Sequence, residues 1–259
     1  MIRPARAEGM RRTRPIWTHS HNDYEQAYPL KDALRYGFRS VEADIWLDGR
    51  ELRVSHSRVA WVGTLRQLYL DPLQELIDRR GSVYGDGLPI YLWIDIKSPE
   101  AALRPVLREQ LSRYAMLRGP APMVIAVLTG DEKSKAAYMK DPAAPFACRD
   151  SNDLRRTDPP GDAAWPWYSL RWHEYFDWNG HGEMPARERT MLWALVAQIH
   201  ARGRSVRFWE TPDTEELWSE LLEAEVDMMS TDDLPRLRRF LDRQQAVANA
   251  VSERGPRPP

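Results

Sequence analysis

Cysteine is almost absent from this chain. Cys148 is the only one in 259 residues, so no internal disulfide can form and no CxxC pair offers a metal or redox site. Long apolar runs are missing as well; nothing approaches the roughly 18 consecutive apolar residues of a membrane span. Residues 1–14 are basic and lack an apolar core segment, which leaves no complete secretory signal and assigns no compartment. Neither charge is in surplus: 37 Lys+Arg stand against 38 Asp+Glu, a formal net charge of −1. A nucleic-acid binder draws affinity from a basic excess that releases counterions, so nucleic acid is not an expected partner. No glycine-rich loop follows the first strand-like segment, which argues against a dinucleotide-binding unit. Solenoid repeats and low-complexity tracts are absent too.

What the chain does have is an alternation of strand-like and helix-like segments. Apolar residues make up 42% and mean hydropathy is −0.61, a soluble globular composition. At this length folding buries roughly three quarters of the unfolded surface. Apolar alternation or short apolar runs predict strands at 15–19, 40–47, 51–55, 90–96, 123–128, 167–172, 205–209 and 226–230. Helical spacing predicts helices at 29–36, 100–117, 132–139, 186–201, 214–224 and 234–245, with Gly37 and Gly203 as stops. The Pro/Asp-rich stretch 142–166 reads as the least structured interior segment. Strands alternating with helices imply βαβ crossovers and a parallel sheet. Seven or eight strands favour a closed (β/α)8 TIM-type barrel over an open sheet. That α/β barrel is expected over 15–245, between a flexible arm at 1–14 and a disordered tail at 246–259.

In such a barrel the chemistry sits at the C-terminal strand ends. There the polar residues crowd the first third of the chain: His19, His21, Glu42, Asp44, His56, Asp95 and Lys97. Glu42 and Asp44, at i and i+2, leave a strand on one face. Two like charges facing one interior raise a pKa sharply unless a cation lies between them. Asp95 ends the apolar strand IYLWIDI, where a carboxylate is costly unless paired or metal-bound. Three carboxylates suit one hard divalent ion, Mg2+ or Ca2+, better than zinc. The alternative for Glu42 and Asp44 is pairing with the chain's many arginines. His21 and His56 flank the acids in sequence. Two imidazoles around one cation fit in-line displacement at phosphorus, one activating the attacking oxygen and the other protonating the leaving alkoxide.

The phrases HSHNDY (19–24), PLKDAL (29–34), SVEADIWL (40–47), LYLDPL (68–73), IDIK (94–97), RFWETPD (207–213) and STDDL (230–234) run in order along the chain. With them the chain resembles the PLC-like phosphodiesterase superfamily. That superfamily includes glycerophosphodiester phosphodiesterases, bacterial phosphatidylinositol phospholipases C and spider-venom sphingomyelinases D. Within it the chain is similar to a branch typified by the yeast altered-inheritance-of-mitochondria proteins and their bacterial relatives. The resemblance implies a divalent-metal-dependent phosphodiester hydrolase acting on a glycerophosphodiester- or phospholipid-type substrate. It makes Glu42, Asp44 and Asp95 the metal ligands and His21 and His56 the acid/base pair. Lys97 is implied to contact a phosphate oxygen. Trp209 matches an aromatic near the substrate head group, where its face meets a cation; barrel filling is its other reading. Asn22 stands where glycerophosphodiesterases carry an arginine, and Arg207, sharing the strand parity of Trp209, is the candidate replacement for that phosphate-binding charge. His56 is followed by Ser57 rather than the usual Asp.

His19 competes with His21 for the catalytic place; the Asn22-Asp23-Tyr24 that follows favours His21. Asp232 and Asp233 read as a helix N-cap. The aromatic stretch 165–178 reads either as a packed loop over the barrel rim or as a lid that contacts an apolar substrate. Two rival functions share the fold. One is a binding barrel that kept the site and lost turnover. The other is a glycoside hydrolase using Glu42 and Asp44, disfavoured because i, i+2 neighbours crowd one side of a scissile bond.

Overall fold

Eight parallel strands, seven of them at expected positions, close on one another in a computed structural model that describes residues 16–98, 101–142, 146–154 and 165–253, while the strand expected at 51–55 lies outside the barrel. The first half comprises β1 (Trp17–Ser20), α1 (Lys31–Arg35), β2 (Ser40–Asp48), β3 (Glu51–Val54), β4 (Gly63–Thr64), α2 (Asp71–Arg80), β5 (Ile90–Ile96) and α3 (Leu103–Leu111). The second half follows with β6 (Val124–Gly130), α4 (Glu132–Met139), β7 (Cys148–Ser151), β8 (Trp167–Arg171) and α5 (Ala186–Ala201). β9 (Ser205–Trp209), α6 (Glu215–Glu223), β10 (Met228–Thr231) and α7 (Leu234–Glu253) complete it. The order β1-β10-β9-β8-β7-β6-β5-β2 is parallel throughout, and pairing of β1 with β2 closes it. This is an α/β fold, a parallel eight-stranded barrel surrounded by helices. β3 and β4 are an antiparallel flap built on the far half of β2, where Ile45 faces Val54 and Asp48 faces Glu51.

Strand alternation sorts two cores. On β2, Val41, Ala43 and Ile45 point outward and are fully buried under the helices, so Ser40, Glu42 and Asp44 take the barrel interior. The interior's lower part is a plug of aromatic and apolar groups: Trp93, Val127, Trp167 and Met228, with Trp17, Tyr91, Ile125 and Cys148 against them. Trp93 and Tyr91 each meet Trp167 edge to face with ring centroids 5.5 Å apart. Three of the eleven tryptophans, Trp17, Trp93 and Trp167, are thereby spent on the barrel floor. The polar residues of the same strands are left at the C-terminal mouth. Side chains cap two of the helices: Asp131 accepts from Ser134 N at the start of α4, and Thr214 from Leu217 N at the start of α6.

Three expectations need correction. The stretch 142–166 contains a barrel strand, β7, that has no apolar alternation to betray it. Its Asp150 is neutralised by Lys135 (2.6 Å) and accepts from Thr129 Oγ1 (2.7 Å), and its Arg149 stacks over Trp165. The helix expected over 100–117 is α3 followed by a separate single turn at Ala115–Leu117. The final helix runs on to Glu253, so the tail does not begin at 246; alanine-rich sequence carries it past the packed part. The remaining tail, 254–259, and the arm at 1–14 lie outside the described residues. The stretch 165–178 is a packed segment rather than a lid: Trp167, Trp172 and Trp178 are buried, and Trp172 Nε1 donates to Trp178 O.

Candidate active site

β2 and β5 run in register, with Glu42 beside Trp93 and Asp44 beside Asp95. That register brings the three carboxylates together: Glu42, Asp44 and Asp95 each offer an oxygen within 4.8 Å of the others. Asp95 is seated by a neighbour that the sequence reading passed over. Gly130, which ends β6 with φ +83°, leaves open the place where a Cβ would stand 2.0 Å from Asp95 Oδ1. Oδ1 of Asp44 and Oδ1 of Asp95 are buried and accept no hydrogen bond, while Oδ2 of Asp44 has Lys97 Nζ at 3.2 Å and His56 Nδ1 at 3.6 Å. Orphaned anionic oxygens in one cluster, all of them hard donors, fit a divalent cation.

Two cations of the chain reach the same cluster from opposite sides. Lys97 Nζ donates to Asp95 Oδ2 at 2.7 Å and lies 3.2 Å from Asp44 Oδ2. Arg207, 2% exposed, lies inside the barrel with its guanidinium 3.9 Å from the centroid of the Trp93 ring. It donates to Ser169 Oγ at 2.7 Å and to both oxygens of Glu42 at 3.4 Å. His19 is wedged into this network, Nδ1 2.7 Å from Ser40 Oγ and Nε2 2.9 Å from Glu42 Oε2 and 2.8 Å from Arg207 Nη1.

The protonation states follow from these contacts. Burial pushes the Glu42 carboxyl up, but Arg207 and His19 outweigh it and hold Glu42 well below the carboxylate range. Asp44 has no guanidinium; burial first, then the charges of Asp95 and Glu42, push it up to about 7 against the pull of Lys97. Burial also raises Asp95, with Lys97 opposing. Burial drives His19 down to about 4, so it is a neutral ring at physiological pH.

Of the two expected acid/base histidines, His21 is held by Asp232 and His56 lies against Asp44. His21 Nδ1 donates to Asp232 Oδ1 at 2.8 Å, which leaves Nε2 for the site. Burial alone would lower His21; the bond to Asp232 and the charge of Glu42 prevail and raise it to about 8. His56, its side chain 67% exposed at the mouth, has Nδ1 3.6 Å from Asp44 Oδ2. Tyr24 links the two loops: its hydroxyl donates to Asn22 Oδ1 at 3.1 Å and lies 3.4 Å from His56 Nδ1. Asp23 beside it is fully buried and accepts from Ser20 Oγ (2.7 Å), Leu30 N (2.5 Å) and Tyr69 Oη (3.0 Å), which fixes the segment from His21 to Leu30.

Of the nine residues singled out from sequence, the three carboxylates therefore meet, and Lys97, Arg207, His56 and the charge of His21 act on them. Arg207 is enclosed beneath Glu42 rather than presented at the mouth, and Asn22 accepts from Tyr24 through Oδ1, the bond leaving its amide NH2 to donate. The ninth, Trp209, lines a cavity of about 220 Å³ beside His21 with Glu210, Asp213, Thr231 and Asp232. Arg171 lies over the Trp209 ring at 5.4 Å and pairs with Glu210, so the chain's own cation meets that ring. Sequence reading missed Tyr24, Gly130 and Asp232. Only Asp233 caps α7, accepting from Arg236 N at 3.0 Å, while Asp232 serves His21.

Comparison with known proteins agrees with this geometry. Residues 8–85 match an AIM6-like phosphodiesterase domain and residues 205–235 match the glycerophosphoryl diester phosphodiesterase family. The first match contains His21, Glu42, Asp44 and His56, and the second Arg207 and Trp209. Altered inheritance of mitochondria protein 6 of Eremothecium gossypii is 28% identical over 273 residues, covering 87% of this chain and 70% of that protein. A homolog of that protein in Arthroderma benhamiae is 27% identical, covering 85% and 82%. In Saccharomyces cerevisiae the like-named protein is 35% identical over 106 residues, 34% of this chain and 27% of the yeast protein. These matches bear out the resemblance drawn from the sequence, to the PLC-like phosphodiesterase superfamily and, within it, to the altered-inheritance-of-mitochondria branch.

Proposed function

We propose that this barrel is a phosphodiester hydrolase that works with one divalent cation, Mg2+ or Ca2+, held by Glu42, Asp44 and Asp95. The observation that carries this reading is the convergence of those carboxylates, two of their oxygens buried without a donor, in the company of His56 beside Asp44 and His21 within the charge of Glu42. When bound, the cation supplies charge neutralisation for the phosphate and its transition state. The remaining work falls to the chain. His21, kept protonated by Asp232 and Glu42, is placed to give a proton to the leaving alkoxide. His56, open to solvent beside Asp44, is placed to take one from the attacking oxygen, whether of water or of a neighbouring substrate hydroxyl. Lys97, 30% exposed in its side chain, is the cation within reach of a phosphate oxygen. Arg207 holds Glu42 ionised and oriented from below.

Hydrolysis of bis(p-nitrophenyl) phosphate with and without EDTA tests the proposal. Release should require the metal, and His21→Ala or His56→Ala should each slow it by about 10²–10⁴ with an unchanged circular dichroism spectrum. Metal binding without metal-dependent release would assign the chain to ligand binding instead. Wild-type rates in either histidine variant would remove that residue from the pair.

A further inference from the structure

Asp232, the carboxylate that holds His21, has a side chain 72% exposed. An ion pair so open to water is ordinarily worth little, because two free side chains lose entropy to meet and solvent screens their charges. Yet Asp232 Oδ1 stands 2.8 Å from His21 Nδ1. The backbone of its turn is what keeps it there. The N–H of Asp232 donates to Asp213 Oδ2 at 2.9 Å. The N–H of Asp233 is shared between the same oxygen at 3.4 Å and Thr231 Oγ1 at 3.0 Å. On the other side, Asp232 O accepts from Gln26 Nε2 at 3.0 Å, and Thr231 O from His21 N at 3.2 Å. Gln26 and His21 belong to the segment being positioned, whereas Asp213 reaches the turn from a separate loop.

That loop, 210–214 between β9 and α6, is fixed at both ends. Glu210 opens it with φ +52°, a backbone conformation that residues with side chains rarely adopt. Arg171 holds Glu210 there through two bonds, Nε to Oε2 at 2.6 Å and Nη2 to Oε1 at 3.1 Å. At the other end Thr214 caps α6 and donates to Gly180 O at 2.7 Å. Gly180 makes room for that approach: a Cβ on it would stand 2.6 Å from Thr214 Oγ1 and 3.0 Å from Pro212 Cβ. Between these ends Asp213 O accepts from Arg236 Nη1 at 2.9 Å. The Asp213 carboxylate is thus a post whose own backbone cannot drift, and the turn 231–233 hangs from it.

We propose that Asp213 is a positioning residue for His21, acting through Asp232: by anchoring the turn 231–233 it holds the Asp232 carboxylate against the imidazole. That bond fixes the tautomer and the plane of the ring, beside a cavity that Asp213, Asp232 and His21 all line. The other charges that reach His21 are those of Glu42 and Arg207, both enclosed in the barrel, so the rim turn is the part that needs an anchor. The anchoring rests on these contacts alone; its bearing on turnover rests on the phosphodiesterase reading above.

Titration of the His21 ring by proton NMR, in the full chain with EDTA and with folding checked by circular dichroism, reads the anchoring without any turnover. In the wild type the bond to Asp232 and the charge of Glu42 hold the ring up at about 8. Asp232→Asn should bring it to about 7 or below, and Asp213→Ala should produce at least half of that fall. Asp213→Ala added to Asp232→Asn should lower it no further, because no carboxylate is left to be held. Two gentler variants separate position from charge. Asp213→Asn keeps an acceptor oxygen in place and should stay close to the wild type. Asp213→Glu keeps the charge but displaces it by one methylene, and should fall. A through-space effect of the Asp213 charge would give the reverse order and overturn the proposal. So would an unchanged His21 in both Asp213→Ala and Asp213→Glu, or a fall in the double variant equal to the sum of the singles. Should Asp213→Ala fail to fold, the order of the Asn and Glu variants decides. On the phosphodiesterase reading Asp213→Ala should also lower kcat by about tenfold with KM nearly unchanged. The alkaline limb of its pH–rate profile should move to lower pH, since His21 must be protonated to give its proton. A lowered His21 in a protein without metal-dependent hydrolysis would leave the anchoring in place and remove that reading.

Discussion

Replacing Arg207 with methionine tests whether a guanidinium sealed inside the barrel is what allows Glu42 to stay ionised there. The two residues are 2% and 3% exposed. Methionine keeps much of the volume against Trp93 and removes the charge. Breaking a buried ion pair from one side costs about 3–5 kcal/mol, because the surviving charge is left without its counter-ion. In a domain of this size each kcal/mol moves the melting temperature by roughly 2–4 °C, so a fall of about 6–20 °C is expected. His19 sets the lower end: with its Nε2 2.9 Å from Glu42 Oε2, and released from the guanidinium, it can take a proton and pair with the carboxylate. Adding Glu42→Gln to Arg207→Met removes the stranded charge and should recover more than half of the loss.

The pH dependence has a definite sign. In the wild type Glu42 is held below the carboxylate range, so its contribution is present above the unfolded pKa and fades as pH falls through the depressed folded value. In Arg207→Met burial acts unopposed by the guanidinium, and the folded protein takes up a proton at Glu42 more readily than the unfolded chain does. The variant's deficit should therefore be largest at neutral pH and narrow as pH falls into the carboxylate range. Urea unfolding at a series of pH values, with chelator present throughout, reads both quantities. A neutral-pH loss below about 1 kcal/mol, or a deficit that does not change with pH, would refute the reasoning.

Asp44→Asn should weaken Mg2+ or Ca2+ binding by at least about tenfold. Wild-type affinity should rise as pH passes through about 7, where Asp44 gives up its proton. Calorimetry showing unchanged affinity in the variant, or no pH dependence in the wild type, takes Asp44 out of the ligand set. Tyr24→Phe removes the hydroxyl between Asn22 and His56 and should lower kcat by roughly tenfold, with KM nearly unchanged and stability within about 1 kcal/mol of wild type. A wild-type kcat would make that hydroxyl incidental.

The barrel was legible because its strands announce themselves through side chains that must be buried on both faces. Ile90–Ile96, Ser205–Trp209, Glu132–Met139 and Ala186–Ala201 lie where apolar spacing puts them. β7 was not legible for the complementary reason: Cys-Arg-Asp-Ser is stabilised by Lys135, Thr129 and Trp165, which are remote in sequence. The site divides the same way. Residues that must be acidic or imidazole for the chemistry stand out as types, so Glu42, Asp44, Asp95, His21 and His56 could be picked from the chain. Residues that act by position do not. Tyr24 looks like one more core aromatic, and Gly130 matters only because a side chain opposite it fills the space of a Cβ. Asp232 is indistinguishable in sequence from its neighbour Asp233, yet one holds a histidine and the other caps a helix.

The two cations of the cluster explain why three acids can share so small a space without any one of them being dispensable. Fully ionised, Glu42, Asp44 and Asp95 carry three negative charges, and Arg207 and Lys97 return two. The surplus of one appears at Asp44, which shares Lys97 with Asp95 and keeps its proton up to about pH 7. On the reading proposed above, a divalent cation would turn the balance from one negative to one positive, matching the single negative charge of a phosphodiester. Arg207 and Lys97 are not equivalent in that exchange. Arg207 is enclosed between Trp93, Ser169 and Glu42 and stays where it is. Lys97, at the end of β5 and partly exposed, pairs with both Asp95 and Asp44, so on the phosphodiesterase reading it could turn to a phosphate oxygen only where a bound cation took over those carboxylates. On that reading an enclosed cation and a partly exposed one would divide the work, Arg207 keeping Glu42 ionised and Lys97 facing the substrate.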